Sequence, residues 1–463
     1  MTITSRFNIR MPRYPLALLI VSLSAATTLA RADDYPQWFG PQRDGIHREQ
    51  NILAAFPKDG AKIHWRAPVA AGYSQPVVAG NKVIVTDHIL KQGVALPSDP
   101  FKRGQLPGVE RVLCFDDASG KLLWQVEYDC AYTVSYAAGP RATPVIDNSR
   151  VYTLGTEGHV YCIDIESGKI VWNKKLEGQP AIWGYAAAPL VDGDRLILLS
   201  SGHPVLTALD KTTGEVVWTA LEAAKERGPG YSPPMIHTLG GQRQLIQWYP
   251  EALVSLDPAT GKTLWSFPYG PAKQGVSITT PLLINGDTFI LTTQYEGCAA
   301  IQVKENQPKL LWHAASKGRA VSTLHALHTQ MIFHDGHIFG INNLGQLLCI
   351  DPADGHVVWS NNQPTLGDAD PVAWTAAFIT PWQPDPTRPA KHFFIANEKG
   401  DAIICNLSPK GYTELSRTHL LDPTNTDAHR PVIWCHPAYA HQSIYWRNDK
   451  ELIRASLAAA AVP

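Results

Sequence analysis

The chain has 463 residues, 44% of them hydrophobic and 17% charged, and its 40 basic and 41 acidic side chains leave a formal net charge of -1. That apolar content with almost no net charge excludes a disordered chain, and the even balance excludes a general nucleic-acid binder, which needs a basic face to displace counterions. The 35 Gly, 36 Pro and 14 Trp point to many turns and many aromatic anchors, not to a mostly helical protein.

Residues 1–32 read as an export signal. Arg6, Arg10 and Arg13 make a basic start, 16–26 is apolar, and Ala30-Arg31-Ala32 offers small residues where a signal peptidase reads. Cleavage near Ala32 leaves a mature chain that begins at Asp33, periplasmic or secreted. The apolar run is too short to span a bilayer comfortably. No Cys follows it to carry a lipid, so no membrane anchor is expected. Residues 33–58 then form an N-terminal segment, and 59–460 carry a repeat.

Trp124, Trp172, Trp218, Trp265, Trp312 and Trp359 stand 48, 46, 47, 47 and 47 residues apart. Five copies read DDASGKLLW, DIESGKIVW, DKTTGEVVW, DPATGKTLW and DPADGHVVW; two weaker ones are KENQPKLLW and LSPKGYTEL, the last ending at Leu415. A strand ends in Asp, whose carboxylate can accept backbone N–H groups of the next turn. Gly supplies the left-handed conformation of that turn, and a short strand carries Trp into the space between neighbouring sheets. Upstream, pairs such as VVAGNKVIV and LINGDTFILTT read as strands closed by primed hairpin turns. Each unit is therefore four antiparallel strands, A to D from the hub outwards, and a period in the forties with four strands means a β-propeller. The last unit, 436–457, lacks a D strand, whereas AKIHWRAPV, with Trp65, is a D strand without a blade. Joining them gives an all-β, eight-bladed ring closed by an N-terminal strand, with seven blades as the alternative. The repeat Trp residues are assigned to packing.

Seven Cys are an odd number in a chain too large to need disulfide staples. Cys114, Cys162, Cys349 and Cys405 share one repeat position, occupied by Ala208 and Ser255 elsewhere, and read as small buried strand residues. Cys130, Cys298 and Cys435 lie outside it, and one pair among them could bond. No Cys-x-x-Cys or His-Glu-x-x-His indicates zinc.

The D-x-x-[ST]-G-[KE]-x-x-W turn resembles the repeat of pyrroloquinoline quinone (PQQ) propellers, over about residues 35–457. That superfamily includes quinoprotein alcohol dehydrogenases and the outer-membrane assembly lipoprotein BamB. WFGPQRDGI, GPRATPVIDNSRVYTLGTEGHVYCID and VIWCHPAYAHQSIYWRNDKEL are similar to exported propellers often labelled alcohol dehydrogenase-like. The dehydrogenase resemblance implies PQQ held by a vicinal Cys-Cys disulfide and a stacking Trp. It also implies calcium on Glu, Asn and Asp, with a further Asp as base. This chain has no Cys-Cys pair, no haem-attachment motif and no lipidated Cys after its signal.

Strand alternation puts the stereotyped C–D turns on one face and the variable D–A loops on the other, with the B–C insertion ILKQGVALPSDPFKRGQLPGVE as a lid-like addition. Loops on a rigid scaffold are where function usually sits. Tyr73, Tyr136, Arg141, Trp183, Tyr185, Tyr231, Trp374 and His436 fall just before strand A, near the hub. Such a ring around one Arg would bind a planar or anionic ligand by stacking and paired hydrogen bonds, or else plug the channel. Asp368 and Asp370 read as a solvated loop or a cation site, and His325 and His328 as ligands lacking a third partner. His334-Asp335-Gly336-His337 reads as a hairpin turn. The expectation is a non-catalytic binding or scaffold protein that meets a protein or small ligand on its D–A face. The alternative is a PQQ- and calcium-dependent alcohol or sugar dehydrogenase.

Overall fold

The computed structural model describes Met1 and residues 33–223, 228–270, 276–315, 323–427 and 430–459, so the expected signal segment lies outside the described residues. No helix among them is long and apolar enough to cross a membrane.

Eight four-stranded antiparallel sheets make an eight-bladed propeller. Blade 1 runs Val77–Ala79, Lys82–Leu90, Gly108–Asp116 and Leu122–Asp129, and the later blades repeat that order. Blade 8 takes Ala438–Ala440, Ser443–Arg447 and Glu451–Ser456 from the C-terminal end, and its outer strand, Ile63–Pro68, from the other end of the chain. Ile63 pairs with Ala455 and Trp65 with Arg454. His334 and His337 flank a tight hairpin with Asp335 and Gly336 at positive φ, as their sequence indicates.

The repeat residues lock one blade to the next. The Trp124 indole donates to Ile165 O at 2.9 Å, Trp172 to Lys211 O at 3.0 Å and Trp312 to Pro352 O at 2.8 Å, each carbonyl lying in the following blade's C–D turn. The turn glycine sits directly over the same ring. A Cβ on Gly214 would come within 2.7 Å of Trp172, and one on Gly261 within 2.6 Å of Trp218. Gly is thus required twice, for a φ of +77° at Gly214 and for room. Blade 5 has no such glycine, and Trp265 turns instead to Gln244 Oε1 of its own blade at 2.8 Å.

Every outer strand carries a β-bulge at the residue before the Trp position. The bulged Leu123, Val171, Val217, Leu311 and Val358 point to solvent. A bulge disrupts the ladder and twists the strand, which keeps an exposed edge from pairing with another chain.

Two expectations are corrected here. In blade 7 the C–D hairpin is longer, so Leu415 is the bulged residue and Ser416, paired with Ile404, holds the Trp position. Cys405 therefore sits one residue beyond the site shared by Cys114, Cys162 and Cys349. The N-terminal segment covers the missing Trp: Phe56 N donates to Ser416 Oγ at 2.8 Å, and Phe56 joins the apolar core that holds Ile404. All seven Cys are buried and free, so no pair among Cys130, Cys298 and Cys435 is bonded.

Candidate functional site

Residues 35–47 run along the central channel, and 52–56 leave it for the C-terminal stretch after blade 8 and the outer strand of blade 7. Tyr35 bridges to Val78 on the inner strand of blade 1, Pro36 O accepts Ile146 N of blade 2 at 2.8 Å, and His47 N donates to Pro381 O of blade 7 at 2.9 Å. Arg43, 6% exposed, donates to Pro189 O at 2.9 Å and Pro234 O at 3.2 Å, ahead of blades 3 and 4. The channel is filled by this segment. Above it the hub opens into a cavity of about 430 Å³.

Each of the eight D–A loops contributes a side chain to that cavity: Tyr73, Tyr136, Trp183, Tyr231, Ile278, His328, Trp374 and His436, in chain order. Six of these are hub residues expected from the sequence; Arg141 is a seventh, and Tyr185 is not on the wall. Tyr185 lies in the core of blades 2 and 3 with Tyr152 and Leu196. Trp38 reaches the cavity from the channel segment, stacked on Phe39 at 4.3 Å and edge-on to His436 at 4.6 Å.

Tyr136 and Trp374 both have positive φ, +53° and +64°. A bulky residue holds that conformation only where its surroundings impose it. Phe101, from the B–C insertion of blade 1, provides part of them by lying edge-on to Tyr136 at 5.1 Å and to Trp374 at 5.9 Å. The insertion is pinned by Tyr136 N to Pro100 O at 2.7 Å, Ser135 Oγ to Phe101 O at 2.9 Å and Arg103 Nε to Thr133 O at 2.9 Å. From the other side a small two-stranded ribbon, Asn425–Asp427 with Arg430–Val432, holds two phenols. Asn425 donates to the Tyr73 hydroxyl at 3.0 Å, and the Tyr136 hydroxyl donates to Asp427 at 3.0 Å.

Apart from the Arg141 guanidinium, the wall is uncharged. Burial pushes His436 down to about 3, with His328 adding to it, and burial beside Arg430 pushes His328 down to about 4, so both are neutral imidazoles at pH 7. Burial raises the Tyr73 phenol to about 12. Arg141 stands over the Tyr73 ring at 4.9 Å, but its terminal nitrogens already donate to Gly139 O, Ser135 O and Tyr136 O. The paired hydrogen bonds anticipated for an anion are committed to the loop's own backbone. Among the described residues no carboxylate lines the cavity. The nearby Glu398 and Asp427 are taken by Arg430 at 2.9 and 3.1 Å. Four buried polar atoms of the wall have no partner: Trp38 Nε1, Trp183 Nε1, Gln294 Oε1 and His328 Nε2.

Asp368 and Asp370 lie exposed on the blade 6–7 loop, off the cavity. His328 is on the wall but His325 is not, so the two do not form a ligand pair there. Phe101, Trp38, Trp434 and Gln294 are wall residues that sequence reasoning did not single out.

A family model described as outer membrane protein assembly factor BamB matches residues 109–361. The chain belongs to this PQQ-like propeller family. BamB of Salmonella typhimurium is 32% identical over 109 residues, 22% of this chain and 24% of that protein. Tetrathionate hydrolase of Acidithiobacillus ferrooxidans is 23% identical over 336 residues, 65% of this chain and 63% of that enzyme. Both matches span less than two thirds of the relative's own length. Among solved structures, BamB from Moraxella catarrhalis superposes with a TM-score of 0.51 at 14% identity, covering 81% of this chain and 99% of that one. Quinohemoprotein alcohol dehydrogenase from Comamonas testosteroni gives 0.56 at 13%, covering 93% and 81%. At these identities the two structures show a shared fold alone, and the fold does not set the function.

The PQQ–calcium pair is a poor match to this wall. Calcium takes oxygen ligands with carboxylates prominent among them, and no carboxylate among the described residues lines the cavity. The hydroxyl proton of an alcohol has no carboxylate to receive it, and no vicinal Cys pair is present.

Proposed function

We propose that this chain is an exported, non-catalytic binding propeller that takes an uncharged ligand into the hub cavity of its D–A face. The ligand is either a small amphipathic molecule of sugar size or an apolar side chain presented by a partner protein. The observation that carries this reading is a wall to which all eight D–A loops contribute, mostly aromatic rings and neutral polar groups, with Arg141 bonded to its own loop and no carboxylate among the described residues. Pockets of this kind fix a ligand by its apolar faces and orient it with a few polar atoms. The two indole N–H groups, the Gln294 carbonyl and the His328 imidazole that lack partners are those orienting atoms. Membership of a family described by an assembly factor supports a protein contact. Export rests on residues 1–32.

The test is a titration of the mature chain followed by tryptophan fluorescence. Neutral glucose oligomers and uncharged aromatic dipeptide amides form one arm, and PQQ with calcium the other. Saturable quenching in the first arm that is lost in Trp183→Ala supports the reading. Stoichiometric PQQ binding with dye-linked turnover of an alcohol or sugar would replace it with the dehydrogenase.

A further inference from the structure

Away from the hub, where blades 1 and 2 meet on the same face, Glu110, Cys130 and His159 bring one ligand atom each to within 4.8 Å of one another. Three different elements deliver them. Glu110 lies near the start of strand Gly108–Asp116, Cys130 follows strand Leu122–Asp129, and His159 opens strand His159–Asp164 of the next blade. From this geometry we infer a zinc-class metal site, with Cys130 thiolate, His159 Nδ1 and the Glu110 carboxylate as protein ligands and the fourth position open to solvent on the His159 side.

The distances favour it. Zn–S and Zn–N bonds at the tetrahedral angle put sulfur and nitrogen about 3.5 Å apart, and Cys130 Sγ lies 3.7 Å from His159 Nδ1. The carboxylate is the ligand that has to close in. It is held by neighbours suited to an outer shell: Tyr128 and Tyr132 donate their hydroxyls to Glu110, the first at 2.6 Å, and Thr156 N donates at 2.9 Å. Such outer hydrogen bonds orient a ligating carboxylate and tune its affinity. His88 stacks on Tyr132 at 3.9 Å and bonds Cys130 O at 3.1 Å, so the backbone that carries the thiol is fixed too.

Charge points the same way. Glu110 is 1% exposed, and its hydrogen-bond partners are two phenols and an amide, with no cation among them. A buried carboxylate without a counter-charge is costly. A divalent ion with one carboxylate and one thiolate is neutral overall, which suits the location. Thiolate and imidazole together select zinc over the hard cations calcium and magnesium, which take oxygen. One group opposes binding. Lys175 Nζ stands 3.4 Å from His159 Nε2, and an ammonium only donates, so the imidazole proton is kept on Nδ1, the ligating atom. Lys175 is exposed and free to swing away.

The experiment is a competition titration of the chelator-stripped mature chain with Zn2+ against a chromophoric chelator, with Ca2+ in parallel. One equivalent of zinc per chain is expected. Cys130→Ser and His159→Ala should each weaken it at least tenfold, Lys175→Gln should tighten it severalfold, and calcium should not compete. Substituted Co2+ should give a thiolate charge-transfer band that Cys130→Ser abolishes. His159 is only partly buried, so its variant keeps the test decisive if the Cys130 variant fails to fold. Zinc held equally by wild type and His159→Ala, or displaced by calcium, or absent from the wild type, would overturn the site. Each of these outcomes is independent of what the hub cavity binds.

Discussion

On one face of the disc, blades solve the same problem with the same residues. A turn Asp accepts N–H groups of its own turn, as Asp164 does from Ser167 at 3.0 Å, and a turn Gly lies flat on the previous blade's Trp. On the other face the D–A loops share no motif, yet each sends a side chain to one cavity. The first face is repetitive because most blades meet a neighbour carrying the same turn, blades 5 and 7 being the departures. The second is varied because its eight loops surround a single cavity from eight directions. Positions that recur hold the ring, and positions that do not recur face the cavity.

That division can be broken most severely on the turn face. Trp218→Ala should cost roughly 3–5 kcal/mol in urea unfolding, because the ring is buried between blades and leaves a cavity. Gly214→Ala should cost about 2–3 kcal/mol, combining a strained φ with the clash against Trp172. Gly193→Ala shares the positive φ but meets nothing within 4 Å, so it should cost only about 1 kcal/mol. Equal losses at the two glycines would show that the contact with Trp contributes nothing.

A smaller effect belongs to the seam. His441 bridges Asp117 and Asp34, each at 3.0 Å. Burial alone would lower its pKa, but the two carboxylates override that and raise it to about 9. A pKa raised on folding stabilises fully below the unfolded value near 6.5 and is lost as pH rises through 9. His441→Gln should therefore cost about 2 kcal/mol at pH 6 and nearly nothing at pH 10. Thermal unfolding of both proteins at the two pH values checks it, and a gap that widens with pH would contradict the ion pairs. Least of all, Phe101→Ala and Trp183→Ala should change stability by less than about 1 kcal/mol while altering cavity binding, since both stand partly in solvent. A loss comparable to Trp218→Ala would mean that the hub aromatics are core after all.

How much of this was legible follows from the same division. The Trp period and its Gly state the blades outright, and position relative to strand A brings Tyr73, Tyr136, Trp183, Tyr231, Trp374 and His436 to one place. Phe101 and Trp38 stand in an insertion and in the N-terminal segment, where no repeat register says which way a side chain points. Leu415 was misplaced because a longer hairpin preserves the Gly-x-x-x spacing while shifting the pairing to Ser416. Tyr185 shows the limit of one-residue precision: neighbours in a tight loop face opposite ways, so Trp183 reaches the cavity while Tyr185 enters the core. Glu110, Cys130 and His159 meet only through the register of two adjacent blades, which a linear spacing rule for metal ligands cannot express.

The outer strand of blade 8 sets an order of events. Ile63–Pro68 precedes every other described strand in the chain, but the strand it completes, Glu451–Ser456, follows all of them. Until then this segment waits unpaired, and its pairing is among the most distant contacts the chain can form, the kind that slows folding. The ring therefore cannot report itself finished blade by blade. Loss of either strand opens the same seam, and a chain cut short at any later blade keeps both an unmet strand and an unmet sheet edge for a quality-control protease to find.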